Sequence, residues 1–192
     1  PNIIRQLGLD SDRPIIVLRT EEAFASYLMG RSSDAKPVIE PVIADLLRRE
    51  DTLQIVVSTR YGQQAPVLRK HFGQRILVLD RVVDAASLLS ETDVFIGSGG
   101  TMTVEAALLG VPAISCFPGP KPLYISYLES KELVKTIKSP RRIGGEVITI
   151  LSDDKRRERQ KRLGRSLLDS MENPTDKILD TIEMAHGAWE MN

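Results

Sequence analysis

The residues best placed for chemistry lie in one stretch, Asp93–Cys116, which reads DVFIGSGGTMTVEAALLGVPAISC. An apolar run ends at Ile96, four small residues follow (Gly97, Ser98, Gly99, Gly100), and a helical pattern starts near Thr101. Glycines permit positive φ and let a ligand approach the backbone closely. The first N–H groups of a helix have no partner within the helix. Together with the helix dipole they attract phosphate. Ser98, Thr101 and Thr103 add hydroxyl donors. Glu105 follows about one turn into the helix, where a carboxylate can accept hydrogen bonds from two vicinal hydroxyls such as those of a ribose. A nucleotide lying across the helix start would reach both groups. The structural alternative is a tight connection in which Glu105 only complements the helix N-terminus. The pattern is neither a Gly-x-Gly-x-x-Gly fingerprint after a first strand nor a phosphate loop ending in Gly-Lys-Ser/Thr.

Such a turn needs strands to carry it. Five short, β-branched runs without polar alternation read as strands covered on both faces: Ile15–Leu18, Gln54–Ser58, Ile76–Leu79, Val94–Ile96 and Ala113–Cys116. Leu133–Ile137 offers a sixth, short strand. Helical patterns lie between them at Pro37–Arg49, Ala65–His71, Asp84–Leu89 with Asp84 as N-cap, and Thr101–Leu109 before Gly110 as a C-terminal cap. The alternation implies an α/β fold with a parallel sheet and ligands at the carboxyl ends of its strands. The tail reads as three helices, Ser139–Ser152, Asp153–Met171 and Pro174–Ala188. The basic run Lys155–Arg165, interrupted by Glu158, reads as a solvated helix face rather than an anion or membrane patch.

Composition narrows the function. The 192 residues suffice for one well-packed domain. Lys and Arg number 26, as do Asp and Glu, so no overall field holds polyanions and nucleic acid is not an expected partner. One cysteine, Cys116, reads as a buried strand residue, and one cysteine with two histidines argues against a zinc cluster. No apolar run has transmembrane length, and the expected setting is reducing and cytoplasmic. The absence of a starting Met suggests a processed chain or an excised fragment.

The wording Ser98-Gly99-Gly100-Thr101-Met102-Thr103-Val104-Glu105-Ala106-Ala107, then Leu109-Gly110-Val111-Pro112, resembles the nucleotide motif of GT-B glycosyltransferases. It is similar to the motif of the UDP-N-acetylglucosamine transferase of peptidoglycan synthesis, and most of all to an uncharacterised, largely archaeal group of GT-B-like proteins. The resemblance runs from about Pro14 to Leu133. It implies a Rossmann-like three-layer sandwich forming the C-terminal half of a two-domain enzyme, with a helical tail and an N-terminal partner domain outside this chain. It further implies that Gly99, Gly100 and Thr101 face a diphosphate, that Glu105 holds ribose hydroxyls, and that Leu79–Val83, with Leu79 and Val82, supply contacts to the base. The ligand would be a nucleotide sugar, UDP-linked by analogy, with no cofactor or metal. A homodimer is compatible with the neutral charge.

Departures matter. Peptidoglycan-type transferases carry a Gly-Gly-Ser loop after the first strand, where this chain has Arg19-Thr20-Glu21. They carry a Gln-x-x-Asn-Ala element where it has Pro118-Gly119-Pro120-Lys121-Pro122 and Tyr124. The chain also resembles the non-hydrolysing UDP-N-acetylglucosamine 2-epimerase, whose His-Arg-x-Glu-Asn pattern is met at Arg19 and Glu21 but not by the His or Asn. A sugar epimerase and a non-catalytic binding or scaffold protein therefore stand as alternatives to a transferase. Arg19, at a strand end, is read as a phosphate contact or as a partner of Glu21 or Glu22. Lys121 is read as a cation for the diphosphate or a surface lysine, and Arg60 as a solvated loop charge. Asp80 and Arg81 are expected in a loop near the base. His71 is expected to complement its own helix, and Trp189, beside His186, to anchor an interdomain contact. The catalytic base is not identifiable and is expected in the partner domain.

Overall fold

The computed structural model describes residues 3–20, 39–117 and 119–190, with side chains up to 184. Six parallel strands form one sheet: β1 (Ile15–Arg19), β2 (Gln54–Ser58), β3 (Leu77–Val78), β4 (Val94–Gly97), β5 (Ala113–Ser115) and β6 (Val134–Thr136). Their spatial order is β3-β2-β1-β4-β5-β6. The chain thus builds outward from β1 in one direction and then, from β4, in the other. Crevices for ligands open at such a reversal, outside the carboxyl ends of the strands.

The strands read as apolar runs because both faces are covered. Side chains alternate across a strand. Ile16, Leu18, Ile55, Val57, Val94 and Ile96 therefore meet one helical layer, formed by α2 (Ile39–Arg49), α3 (Gln64–Phe72) and α7 (Pro140–Leu151). Ile15, Val17, Val56 and Phe95 meet the other, formed by α1 (Ile3–Leu7), α4 (Ala85–Ser90), α5 (Thr101–Leu108), α6 (Leu123–Ser130) and α8 (Asp154–Asp169). The result is the Rossmann-like three-layer sandwich, with the helical tail completed by α9 (Pro174–Glu190). No helix among the described residues is long and apolar enough to cross a membrane.

Boundaries follow local chemistry. Asp84 caps α4 by accepting from Ser87 N–H at 3.0 Å, and Asp153 caps α8 by accepting from Arg156 N–H at 3.0 Å. The ladder runs past the short strands: Leu79 N–H donates to Val57 O, and Cys116 N–H to Gly97 O. Cys116 is buried in the strand layer as expected. Two helices were not legible in the pattern, α1 and α6. The first two residues of the expected helix Pro37–Arg49 lie outside the described residues, as do Glu21, Glu22, Pro118 and the side chains of His186 and Trp189.

Two close approaches fix the helix that matters most. Gly110 ends α5 with φ +75°, and Gly164 of α8 packs against it. A methyl group built on Gly164 would lie 2.7 Å from Gly110 Cα and 2.8 Å from Ala107 O. The basic run of α8 is a solvated face that also pairs outward: Arg156 meets Glu146 at 2.6 Å and Arg159 meets Glu132 at 2.7 Å. Its buried residues, Gln160, Gly164 and Leu167, sit on the side facing the body.

Candidate functional site

The turn after β4 has the shape its glycines allow. Gly99 has φ +90°, and Gly100 has φ +89° and ψ −179°, a backbone region that side chains oppose. Gly100 is the N-cap residue of α5 and brings no capping side chain. The N-terminus of α5 thus faces the carboxyl end of the sheet with no oxygen from its own cap residue over it. Gly100 N–H donates to Tyr124 Oη at 3.2 Å, and Thr103 N–H closes the first turn onto Gly100 O at 3.2 Å.

Beside this turn lies a cleft of about 560 Å³. It is walled by the ends of β1 and β2, the β3–α4 loop and the first turns of α5. Of the residues singled out in the sequence, Arg19, Leu79, Val82, Gly99, Thr101, Met102 and Glu105 line it. Asp80 and Arg81 line it too, in the loop that was expected near a base. Leu79 is buried and Val82 fully exposed, so the loop presents one apolar wall and one apolar rim. Glu105 points its carboxylate at the cleft from the exposed side of α5. Among the described residues that carboxylate makes no hydrogen bond or ion pair.

Ser98, Gly100 and Lys121 do not line the cleft. Ser98 and Gly100 belong to the turn itself. Lys121 lies elsewhere: its ammonium pairs with Glu129 on α6. Burial raises the Glu129 carboxyl, but the bonds from Lys121 and from Thr136 N–H at 2.7 Å outweigh it and hold it below the usual carboxylate range. The ion pair thus ties the segment before α6 to that helix, while Glu129 joins α6 to β6 through Thr136 N–H.

Two arginines close the cleft from the β1–β2 side. Arg19 donates to Ser58 Oγ and to Thr59 O at 3.1 Å, which holds its guanidinium across the strand ends. Arg60, read from the sequence as a solvated charge, has its guanidinium beside the glycine turn: a methyl group built on Gly100 would lie 3.6 Å from its Nη2. Its loop is held by Gln64, whose amide oxygen accepts from Thr20 Oγ1 at 2.7 Å, Arg60 N–H at 3.0 Å and Tyr61 N–H at 3.0 Å. No local signal marks Arg60, because its partner in space is 40 residues away. His71 was expected to complement its own helix. Its Nδ1 meets Glu40 of α2 at 3.2 Å, and neither residue lines the cleft.

The arrangement brings together a polar, cationic wall, an α-helix N-terminus, a carboxylate one turn on and an apolar shelf. Among the described residues no group of three or more His, Cys, Asp and Glu is placed to hold a metal ion.

Comparison with known proteins agrees with the fold. A family model described as "Protein of unknown function (DUF354)" matches residues 1–185. Uncharacterized protein MJ0665 of Methanocaldococcus jannaschii is 37% identical over 116 residues, which are 60% of this chain and 31% of that protein. Among solved structures, Anabaena Alr3699/HepE in complex with UDP superposes with TM-score 0.67 at 14% identity, over 95% of this chain and 51% of that one. The C-terminal CMP-Kdo binding domain of WaaA from Acinetobacter baumannii superposes with TM-score 0.61 at 13% identity, over 86% of this chain and 93% of that domain. The chain therefore spans about a third of the curated relative, about half of the first of these structures and 93% of the second.

Proposed function

The chain belongs to the DUF354 family, and we propose that it is the nucleotide-sugar-binding domain of a GT-B-type glycosyltransferase, with the cleft as its donor site. The observation that carries the reading is the convergence of Arg19, Arg60, Glu105 and the Gly99–Gly100 turn on one cleft where the strand order reverses. The base lies on the shelf formed by Leu79–Val83. Glu105 accepts from the ribose hydroxyls, and the first phosphate meets the N-terminus of α5. Solved folds of this type that hold UDP, or are described as binding CMP-Kdo, support the same class of ligand.

In sugar transfer an acceptor hydroxyl bonds to the anomeric carbon and gives up its proton to a base, the bond from that carbon to the diphosphate oxygen breaks, and negative charge builds on the leaving diphosphate. The amide dipoles of α5 are fixed before the reaction, and with the Arg60 guanidinium beside the turn they meet that charge where it appears. The acceptor and any general base belong to a second domain, so this chain by itself binds and does not turn over.

The test is calorimetric titration with UDP, GDP, ADP and CDP. One diphosphate binds saturably. Charge-assisted hydrogen bonds contribute about 1.5–3 kcal/mol each, so Glu105→Ala and Arg60→Ala each weaken that binding roughly 10- to 100-fold. Binding of none of the four, or binding indifferent to both substitutions, sinks the proposal and favours a scaffold protein.

A further inference from the structure

We infer that Tyr124 reads the second phosphate of the bound nucleotide and so makes the site selective for diphosphates over monophosphates. The inference rests on the donor-site reading above. Tyr124 is the second residue of α6, 44% exposed, and outside the cleft lining. Its ring is not needed to fill the core, which α6 reaches through Ile125 and Leu128. Its hydroxyl nevertheless crosses to the β4–α5 turn. It accepts from Gly100 N–H at 3.2 Å and lies 3.7 Å from where a Cβ on Gly99 would stand.

The order of groups along the site gives this contact a meaning. With the base at Leu79–Val83 and the ribose at Glu105, the first phosphate arrives at Gly99 and Thr101, which line the cleft. A second phosphate has to continue past the turn, away from the ribose. There the flank is formed by α6, and Tyr124 Oη is the polar atom held over the turn. Among the described residues, Gly100 N–H is its hydrogen-bond partner. That bond uses a lone pair of the phenol oxygen and leaves its proton to give. A hydroxyl that already accepts is polarised toward donating. Gly100 N–H, the phenol O–H and a phosphoryl oxygen then form one chain, which extends the reach of the α5 N-terminus by one side chain. Arg60 stands near Gly100 as well. The turn is therefore served by a cation from the β2–α3 loop and a hydroxyl from α6.

The experiment is titration of the wild-type chain and Tyr124→Phe with UDP and UMP, GDP and GMP, ADP and AMP, and CDP and CMP. The substitution removes one oxygen from a half-exposed ring and leaves the fold in place. For the base that binds, Tyr124→Phe weakens the diphosphate about tenfold, as for one hydrogen bond to a charged group, and leaves the monophosphate within about twofold. An unchanged diphosphate-to-monophosphate ratio, whether both affinities hold or both fall together, overturns the inference and leaves the donor site standing. A wild-type chain that binds none of the diphosphates overturns both.

Discussion

Replacing Gly164 by alanine should destabilise the protein, although the same change usually stabilises a helix. Gly164 lies inside α8, where alanine is favoured over glycine by about 1 kcal/mol. Against this stands backbone. A Cβ at Gly164 would meet Gly110 Cα and N at 2.7 Å and Ala107 O at 2.8 Å. None of these atoms can turn aside as a flexible side chain would, so α8 has to retreat from α5 by roughly 0.7 Å in a close-packed interior. Overpacking of this kind costs about 1–3 kcal/mol, and the upper end applies where only backbone can yield. The net expectation is a loss of about 2 kcal/mol, which lowers Tm by about 4–8 °C in a domain of this size. Gly145→Ala is the control. Gly145 sits inside α7 with nothing within 4 Å of its Cβ position, so the same substitution should raise Tm by about 2–4 °C. Thermal melts followed by circular dichroism compare the three proteins. A Gly164→Ala protein melting at or above wild type would refute the close-approach argument.

Two further outcomes are expected. Gly100→Ala has room for its methyl group, with Arg60 Nη2 at 3.6 Å, but forces φ +89° on a residue with a Cβ; it should cost about 1–3 kcal/mol in urea denaturation and weaken nucleotide binding. Wild-type stability and affinity together would show that the turn does not need its conformation. Glu146 is raised by burial but lowered overall by Lys135 and Arg156, each at 2.6 Å. A depressed carboxyl stabilises the fold above its unfolded pKa and loses that stabilisation as pH falls through the folded value. Glu146→Gln should therefore cost about 1 kcal/mol at neutral pH, because its partners are partly exposed, and the gap should close only as pH falls through the depressed folded value, below the usual carboxylate range. An equal gap at neutral pH and below that value would show that the charge plays no part.

The strands were legible because a sheet covered on both faces imposes apolar runs, and each of the six lies within or close to its expected span. Asp84, Asp153 and Gly110 marked helix ends because capping is local chemistry. Helix α6 was hidden behind Pro120-Lys121-Pro122, which reads as loop. Its exposed Leu123, Tyr124 and Tyr127 also blur the contrast with buried Ile125 and Leu128. In the site, the glycine turn and Glu105 announced themselves by spacing. Arg60 and Tyr124 did not, since each reaches the turn from another strand's loop or the following helix. Lys121 looked available in the sequence because its partner Glu129 lies one helix away, on the far side of the proline run.

The Gln64 amide oxygen, which gathers Thr20, Arg60 and Tyr61, bears on how binding proceeds in time and energy. A loop tied to its own scaffold by three hydrogen bonds has spent its freedom during folding. A ligand meeting Arg60 then has little ordering left to impose, and affinity is not diluted by an entropic cost at the moment of contact. Cutting that knot with Gln64→Ala would leave every cleft-facing charge in the chain, yet convert rigid docking into recognition that must first assemble its own wall.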